Sequence, residues 1–166
     1  MLFSAVLIVK NEEKFLEQCL VSVQSVVDEI IIVDTGSTDR TKAIAMAHGA
    51  NLYDFKWIND FAAARNYALN LASGKWVLYI DADERLRPGN ISELRQQLLD
   101  PDFMGYTVHL HPRTGFTAYP ELRIFRNDQL IRFCGRMHEN IWPGINLYQS
   151  QKGGLIGTSE LVLDHE

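Results

Sequence analysis

Several things are scarce in this sequence, and each scarcity removes a class of protein. There are two cysteines in 166 residues, Cys19 and Cys134, far apart in the chain, so neither a disulfide framework nor a metal knuckle is encoded. No apolar run approaches the roughly 20 residues that cross a bilayer. The amino terminus, Met1-Leu2-Phe3-Ser4-Ala5-Val6, has no basic stretch or small-residue cleavage site, and its apolar run stops at Lys10. A cytoplasmic enzyme is therefore the expectation, with a peripheral place at the inner membrane face as the membrane-associated alternative. Positive charge is also short. Lys and Arg number 16 against 21 Asp and Glu, a net charge of -5, which argues against a nucleic-acid partner, whose phosphates need a basic face. Finally, the glycine loops that cradle phosphates are missing. After the first apolar run the chain reads Val9-Lys10-Asn11-Glu12-Glu13, with neither GxGxxG nor GxxxxGK[ST].

What remains is an ordinary globular composition, 46% hydrophobic and 22% charged. A chain of this length can bury roughly 70% of its unfolded surface, enough for one core. Phe3 to Val9, Glu29 to Val33 and Trp76 to Ile80 are apolar runs rich in branched residues, as strands covered on both faces must be. Helical spacing separates them. Phe15, Leu16, Cys19, Leu20 and Val23 share one face of a helix that Asn11 could cap; a second opens after Asp34-Thr35-Gly36-Ser37-Thr38-Asp39, where a Ser or Thr supplies the cap, and closes at Gly49. A third, capped by Asn59 or Asp60, runs to Ala72. A short strand fits near Leu52 to Phe55. Asn90-Ile91-Ser92-Glu93 reads as a capped helix start in preference to a glycosylation sequon. Past Pro101 the pattern changes to shorter alternating strands at Gly105 to His111, Glu121 to Arg126, Leu130 to Phe133 and Thr158 to Leu163. The fold class expected is α/β, a mainly parallel Rossmann-like sheet flanked by helices with a small mixed-sheet carboxyl-terminal half. One domain spans 1–166, with a nucleotide-binding half at 1–100 and an acceptor and catalytic half at 101–166.

In such sheets ligands bind outside the carboxyl ends of the strands. Two acidic sites fall there. Asp81 and Asp83 stand two apart where a buried strand emerges, and Asp34 ends a neighbouring strand. Paired carboxylates suit Mg²⁺ or Mn²⁺, which complete their shells with water and substrate phosphates. An isolated DxD tripeptide is more often a solvated turn; two convergent acidic strand ends, without a glycine loop, favour metal-assisted diphosphate binding. The Asp34 carboxylate could accept from the imide N–H of a uracil or from ribose hydroxyls.

Four ordered segments resemble a known family. VLIVKNEE (6–13), IIIVDTGSTDRT (30–41), FAAARNYAL (61–69) and WVLYIDADE (76–84) are similar to motifs of the family-2 inverting glycosyltransferases of GT-A fold. RIFRN (123–127) and FCGRMHENI (133–141) resemble a later signature of bacterial members that act as lipopolysaccharide-core β-glucosyltransferases and peptide S-glycosyltransferases. The resemblance implies a hexose moved from a UDP-sugar to a hydroxyl or thiol of a glycan, lipid-linked saccharide or peptide, in cell-envelope glycan biosynthesis. It assigns Asp34 to the uridine base and Arg65 to the nucleotide, where a lone arginine on a helix would otherwise be read as a surface ion-pair partner. Val9, Glu12, Asp81, Ala82 and Asp83 join them as substrate contacts, although Glu12 equally fits a first-turn helix acid. Asp83 is the implied metal ligand and Asp81 its helper at the ribose or a metal-bound water.

Inversion also needs a base. Glu139 is the candidate and His138 the runner-up; the plainer role for Glu139 is an ion pair with Arg136 or Arg123. His165, in Asp164-His165-Glu166, sits where related enzymes supply a late histidine as a further metal ligand. His109 and His111 receive no role, since two histidines without a third ligand are more often surface residues. Two other functions compete: a nucleotidyltransferase, which would carry the glycine-rich basic loop missing here, and a nucleotide-sugar-binding fragment without transfer.

Overall fold

A computed structural model describes residues 1–112 and 117–165. Its elements are β1 (Phe3–Val9), α1 (Leu16–Val23), β2 (Glu29–Asp34), α2 (Thr41–Ala47), β3 (Asn51–Asp54), α3 (Phe61–Leu71), β4 (Trp76–Tyr79), β5 (Glu84–Arg87), α4 (Ile91–Gln97), β6 (Phe103–His111), β7 (Tyr119–Arg126), α5 (Trp142–Lys152) and β8 (Leu155–His165). The strands join one eight-stranded sheet in the order β3-β2-β1-β4-β7-β6-β8-β5. β3, β2, β1 and β4 pair in parallel, and β1, β2 and β4 are buried on both faces as their apolar runs lead one to expect. β7 then runs antiparallel beside β4, so the mixed half continues the parallel half. Among the described residues no helix is long and apolar enough to cross a membrane.

Two cores form, one on each face. Alternate residues of β1 (Phe3, Ala5, Leu7, Val9) pack with Leu16, Cys19, Leu20 and Val23 of α1, Ala45 of α2 and Leu94 of α4. Val6, Ile31 and Val33 point the other way, onto Ala62, Ala68 and Leu69 of α3 and Ile145 of α5. Cys19 is fully buried as a small hydrophobe, whereas Cys134 is exposed. Two expected caps form: Asp60 Oδ1 accepts from the Ala63 N–H at 2.9 Å, and Asn90 Oδ1 from the Glu93 N–H at 3.1 Å. Asp60→Ala is expected to lower unfolding free energy by about 1 kcal/mol, read as a lower urea midpoint at unchanged slope; an unchanged midpoint would show that the cap carries no stability.

Three local expectations need correction and one strand proves longer than expected. Asn11 does not cap α1. It has a φ of 56° and ties two loops together, its N–H donating to Ser37 Oγ and its Oδ1 accepting from the Thr38 N–H, each at 2.8 Å. α2 likewise begins after Arg40 with no side-chain cap. Leu130 to Phe133 is not a strand, because the Asn66 side chain takes the place of a neighbouring strand: it accepts from the Phe133 N–H at 2.8 Å and donates to the Phe133 carbonyl at 2.9 Å. The expected Thr158 to Leu163 strand is the middle of β8, which pairs with β6 and β5 along its length.

Candidate active site

β1 lies between β2 and β4, and the chain leaves it in opposite directions across the sheet, the point at which a crevice opens beyond the strand ends. A cavity of about 570 Å³ occupies that place. Val9, Glu12, Arg65, Asp81, Ala82, Asp83, Glu139 and His165 all line it, from the ends of β1 and β8, from α3, from the turn after β4 and from the loop after Phe133. The loops after β1 and β2 are laced together beside it: besides the Asn11 bonds, the Glu12 N–H donates to Thr41 Oγ1 at 2.7 Å and the Arg40 N–H to Glu13 Oε2 at 3.1 Å.

Arg65 is the centre of the arrangement. Its Nε donates to Glu139 Oε1 at 2.7 Å and its Nη2 to Asp81 Oδ1 at 2.9 Å. The guanidinium also lies 5.2 Å from the Tyr79 ring centre and 5.6 Å from that of Phe133. Burial opposes its charge, but the two carboxylates outweigh burial and raise its pKa. Burial likewise pushes Asp81 up, and Arg65 with Arg123 more than reverses this, holding its carboxyl below the usual carboxylate value. Glu139 thus pairs with Arg65. Arg136 instead lies 3.9 Å from Asp60 and Arg123 engages Glu84 and Glu121. A small antiparallel bridge between Cys134 and Asn140 throws out residues 135–139 and delivers Glu139 to the cavity. His138, on the same loop, is exposed with a φ of 56° and does not line the cavity.

Asp83 Oδ2 and His165 Nε2 stand 3.2 Å apart. The antiparallel register of β5 and β8, which sets Glu84 opposite His165, brings the end of the chain back to the turn at Asp83. Among the described residues no group of three or more His, Cys, Asp or Glu is poised around a metal position. One carboxylate and one imidazole on an open wall fit a divalent cation that draws its other ligands from phosphates and water. Glu12 reports the same concentration of negative charge: burial, then Asp83, Asp81 and Asp39, raise its pKa.

Asp34 lies beneath this wall and does not line the cavity; its neighbour Thr35 does. Its Oδ1 accepts from the Gly36 and Ser37 N–H groups at 2.9 and 2.8 Å. Its Oδ2 is buried without a hydrogen-bond partner among the described residues. The sequence reading missed five wall residues, Ile8, Lys10, Thr35, Trp57 and Phe61. Lys10 supplies a cation, and Trp57 and Phe61 meet edge to face with ring centres 4.8 Å apart. The aromatic pair just before and at the start of α3, in Trp57-Ile58-Asn59-Asp60-Phe61, was the available signal.

Comparison with known proteins agrees with this architecture. Residues 4–154 match the profile of glycosyl transferase family 2. A TPR repeat-containing protein of Synechococcus elongatus is 43% identical over 151 residues, 90% of this chain and 38% of that protein. The lipopolysaccharide core biosynthesis glycosyltransferase LpsC of Rhizobium meliloti is 33% identical, over 98% of this chain and 65% of its own length; the glycosyltransferase SunS of Bacillus subtilis is 33% identical, over 80% and 33%. The chain thus spans about a third to two thirds of these relatives. Among solved structures, Staphylococcus aureus TarS 1-349 in complex with UDP-GlcNAc is 18% identical, with a TM-score of 0.79 over 100% of this chain and 59% of that one. Glucosyl-3-phosphoglycerate synthase of Mycobacterium tuberculosis with Mn²⁺ and UDP-glucose is 20% identical, with a TM-score of 0.70 over 99% and 71%. The sequence match over most of its length and the shared architecture show that this chain belongs to glycosyl transferase family 2 and has the GT-A fold.

Proposed function

We propose that this chain is the catalytic domain of an inverting, metal-assisted hexosyltransferase that takes a UDP-sugar of the UDP-glucose kind and glycosylates a hydroxyl or thiol. The observation that supports it most is the convergence, on one cavity, of a carboxylate and imidazole pair (Asp83, His165) with a carboxylate held by a buried arginine (Glu139, Arg65). Asp34, just beneath the cavity wall, would reach the uracil N–H with its unpaired oxygen only after a shift of that wall at Thr35. Lys10 and the Trp57–Phe61 pair add a charge for the diphosphate and an apolar wall for the base.

Asp83 and His165 would hold Mn²⁺ or Mg²⁺, which supplies positive charge to the departing diphosphate when bound. Arg65 occupies Glu139 Oε1 and leaves Oε2 to receive the acceptor proton. As that proton moves, the acceptor oxygen or sulfur bonds to the anomeric carbon from the face opposite the diphosphate. The bond from that carbon to the β-phosphate oxygen breaks and UDP leaves. Acceptors of the proposed class are glycans, lipid-linked saccharides and peptides.

Isothermal titration with UDP tests the donor half of this reading. Saturable binding strengthened by Mn²⁺ is expected, together with release of UDP from UDP-glucose. Mn²⁺-dependent UDP binding without hydrolysis or transfer would identify a donor-binding unit alone. No UDP binding with or without metal would sink the proposal.

A further inference from the structure

A buried ion pair stands directly behind the turn that carries Asp81 and Asp83, and neither member lines the donor cavity. Glu84 is 1% exposed and Arg123 5%. They meet fork to fork, Arg123 Nη1 and Nη2 donating to Glu84 Oε2 and Oε1 at 3.0 and 2.7 Å. Arg123 is itself held by Glu121, which accepts from its Nε at 3.0 Å, and its guanidinium lies 4.5 Å from the Tyr79 ring centre.

Stability alone is a poor reason for this pair, since well-packed apolar residues usually replace a buried ion pair without loss. Its geometry offers another. The sheet ladder beyond β4 ends with the Ile80 N–H donating to the Val6 carbonyl at 3.2 Å. The next N–H, that of Asp81, leaves the ladder at the cavity wall and needs an acceptor. Glu84 Oε2 provides it at 2.9 Å, while the Glu84 N–H donates to the Asp81 carbonyl at 3.0 Å. Residues 81–84 are thereby closed from both ends, and Arg123 fixes the closing carboxylate to β7.

We infer that Glu84 and Arg123 are positioning residues for the proposed metal-and-donor site: the Glu84 carboxylate holds the Asp81-Ala82-Asp83 turn in the shape that sends Asp81 to Arg65 and Asp83 to His165, and Arg123 compensates the charge of that buried carboxylate while adding its own charge near Asp81. The inference rests on the UDP-sugar reading above. It also gives the two sequence segments WVLYIDADE and RIFRN a common purpose, since the last residue of one grips the first of the other.

Two double variants test it, with UDP as the probe and the Mn²⁺-induced gain in UDP affinity as the readout. Glu84→Leu with Arg123→Met replaces the pair by apolar residues and deprives the Asp81 N–H of its acceptor. It is expected to fold with a cooperative thermal transition and to lose tenfold or more of the Mn²⁺ gain. Glu84→Gln with Arg123→Met keeps a carboxamide oxygen for the Asp81 N–H and should retain the gain to within threefold. An undiminished gain in the first variant, or an equal loss in both, overturns the inference. If the first variant does not fold, the second decides by itself: retention supports the inference and loss overturns it. Failure of the unsubstituted protein to bind UDP would overturn the donor reading along with it, and is seen before any variant is made.

Discussion

Asp83→Ala is expected to remove the Mn²⁺-induced gain in UDP affinity, by at least about 100-fold, while leaving the fold intact. Loss of an outer partner of a metal site already costs roughly 10–100-fold, and Asp83 is proposed as a direct ligand. Little else depends on it. Its side chain is about one-third exposed, and the contact described for it is His165, which lies at a similar exposure. The alanine also takes away the largest of the charges that press on Glu12, so the unliganded site should become less strained. Titrations of UDP with and without Mn²⁺, beside a thermal melt, separate these effects. An unchanged Mn²⁺ gain would remove Asp83 from the metal site, and a lost melt would make the turn structural.

Glu139→Gln should bind UDP-sugar as the unsubstituted protein does and transfer it about 10²–10⁴-fold more slowly, the usual contribution of general base catalysis. The substitution is nearly isosteric. Its amide oxygen can still accept from Arg65 Nε, so the arginine keeps both anchors and Asp81 stays in place. What the amide cannot do is take a proton. The expected signature is a fall in kcat at nearly constant KM for the donor. Transfer at an undiminished rate would place the base elsewhere, and a parallel loss of donor binding would make Glu139 a scaffold for Arg65.

The strands that carry the site were legible because each is buried on both faces and so is apolar without interruption: β1, β2 and β4 stand out in sequence, and Asp34 and Asp81 follow where those runs stop. Caps at Asp60 and Asn90 were legible because their bonds are local, three residues away. The failures involve partners distant in sequence. Asn11 has the chemistry of a cap, but Ser37 and Thr38 claim it from another loop. Glu84–Arg87, as ERLR, has no apolar run to announce β5; β8 makes it a strand from the other end of the chain. α5 was missed since Pro143 and Gly144 interrupt the pattern near its start and only Gly144 and Ile145 are buried. The glycine is there because a Cβ would meet the Arg132 amide nitrogen at 2.5 Å. Arg65 was marked from the family motif as a nucleotide contact. Its bonds to Asp81 and Glu139 lie 16 and 74 residues away, a separation that no local pattern encodes.

If Asp34 takes the base as proposed, its unpaired Oδ2 bears on which nucleotides bind. A carboxylate oxygen enclosed by protein can only receive a proton-bearing edge. Uracil presents N3–H there; cytosine, of the same size, presents a lone pair at N3. Two acceptors facing one another without water cost about 1–3 kcal/mol, and each 1.4 kcal/mol or so is tenfold in affinity. Sorting UDP from CDP would then depend on the direction of one hydrogen bond.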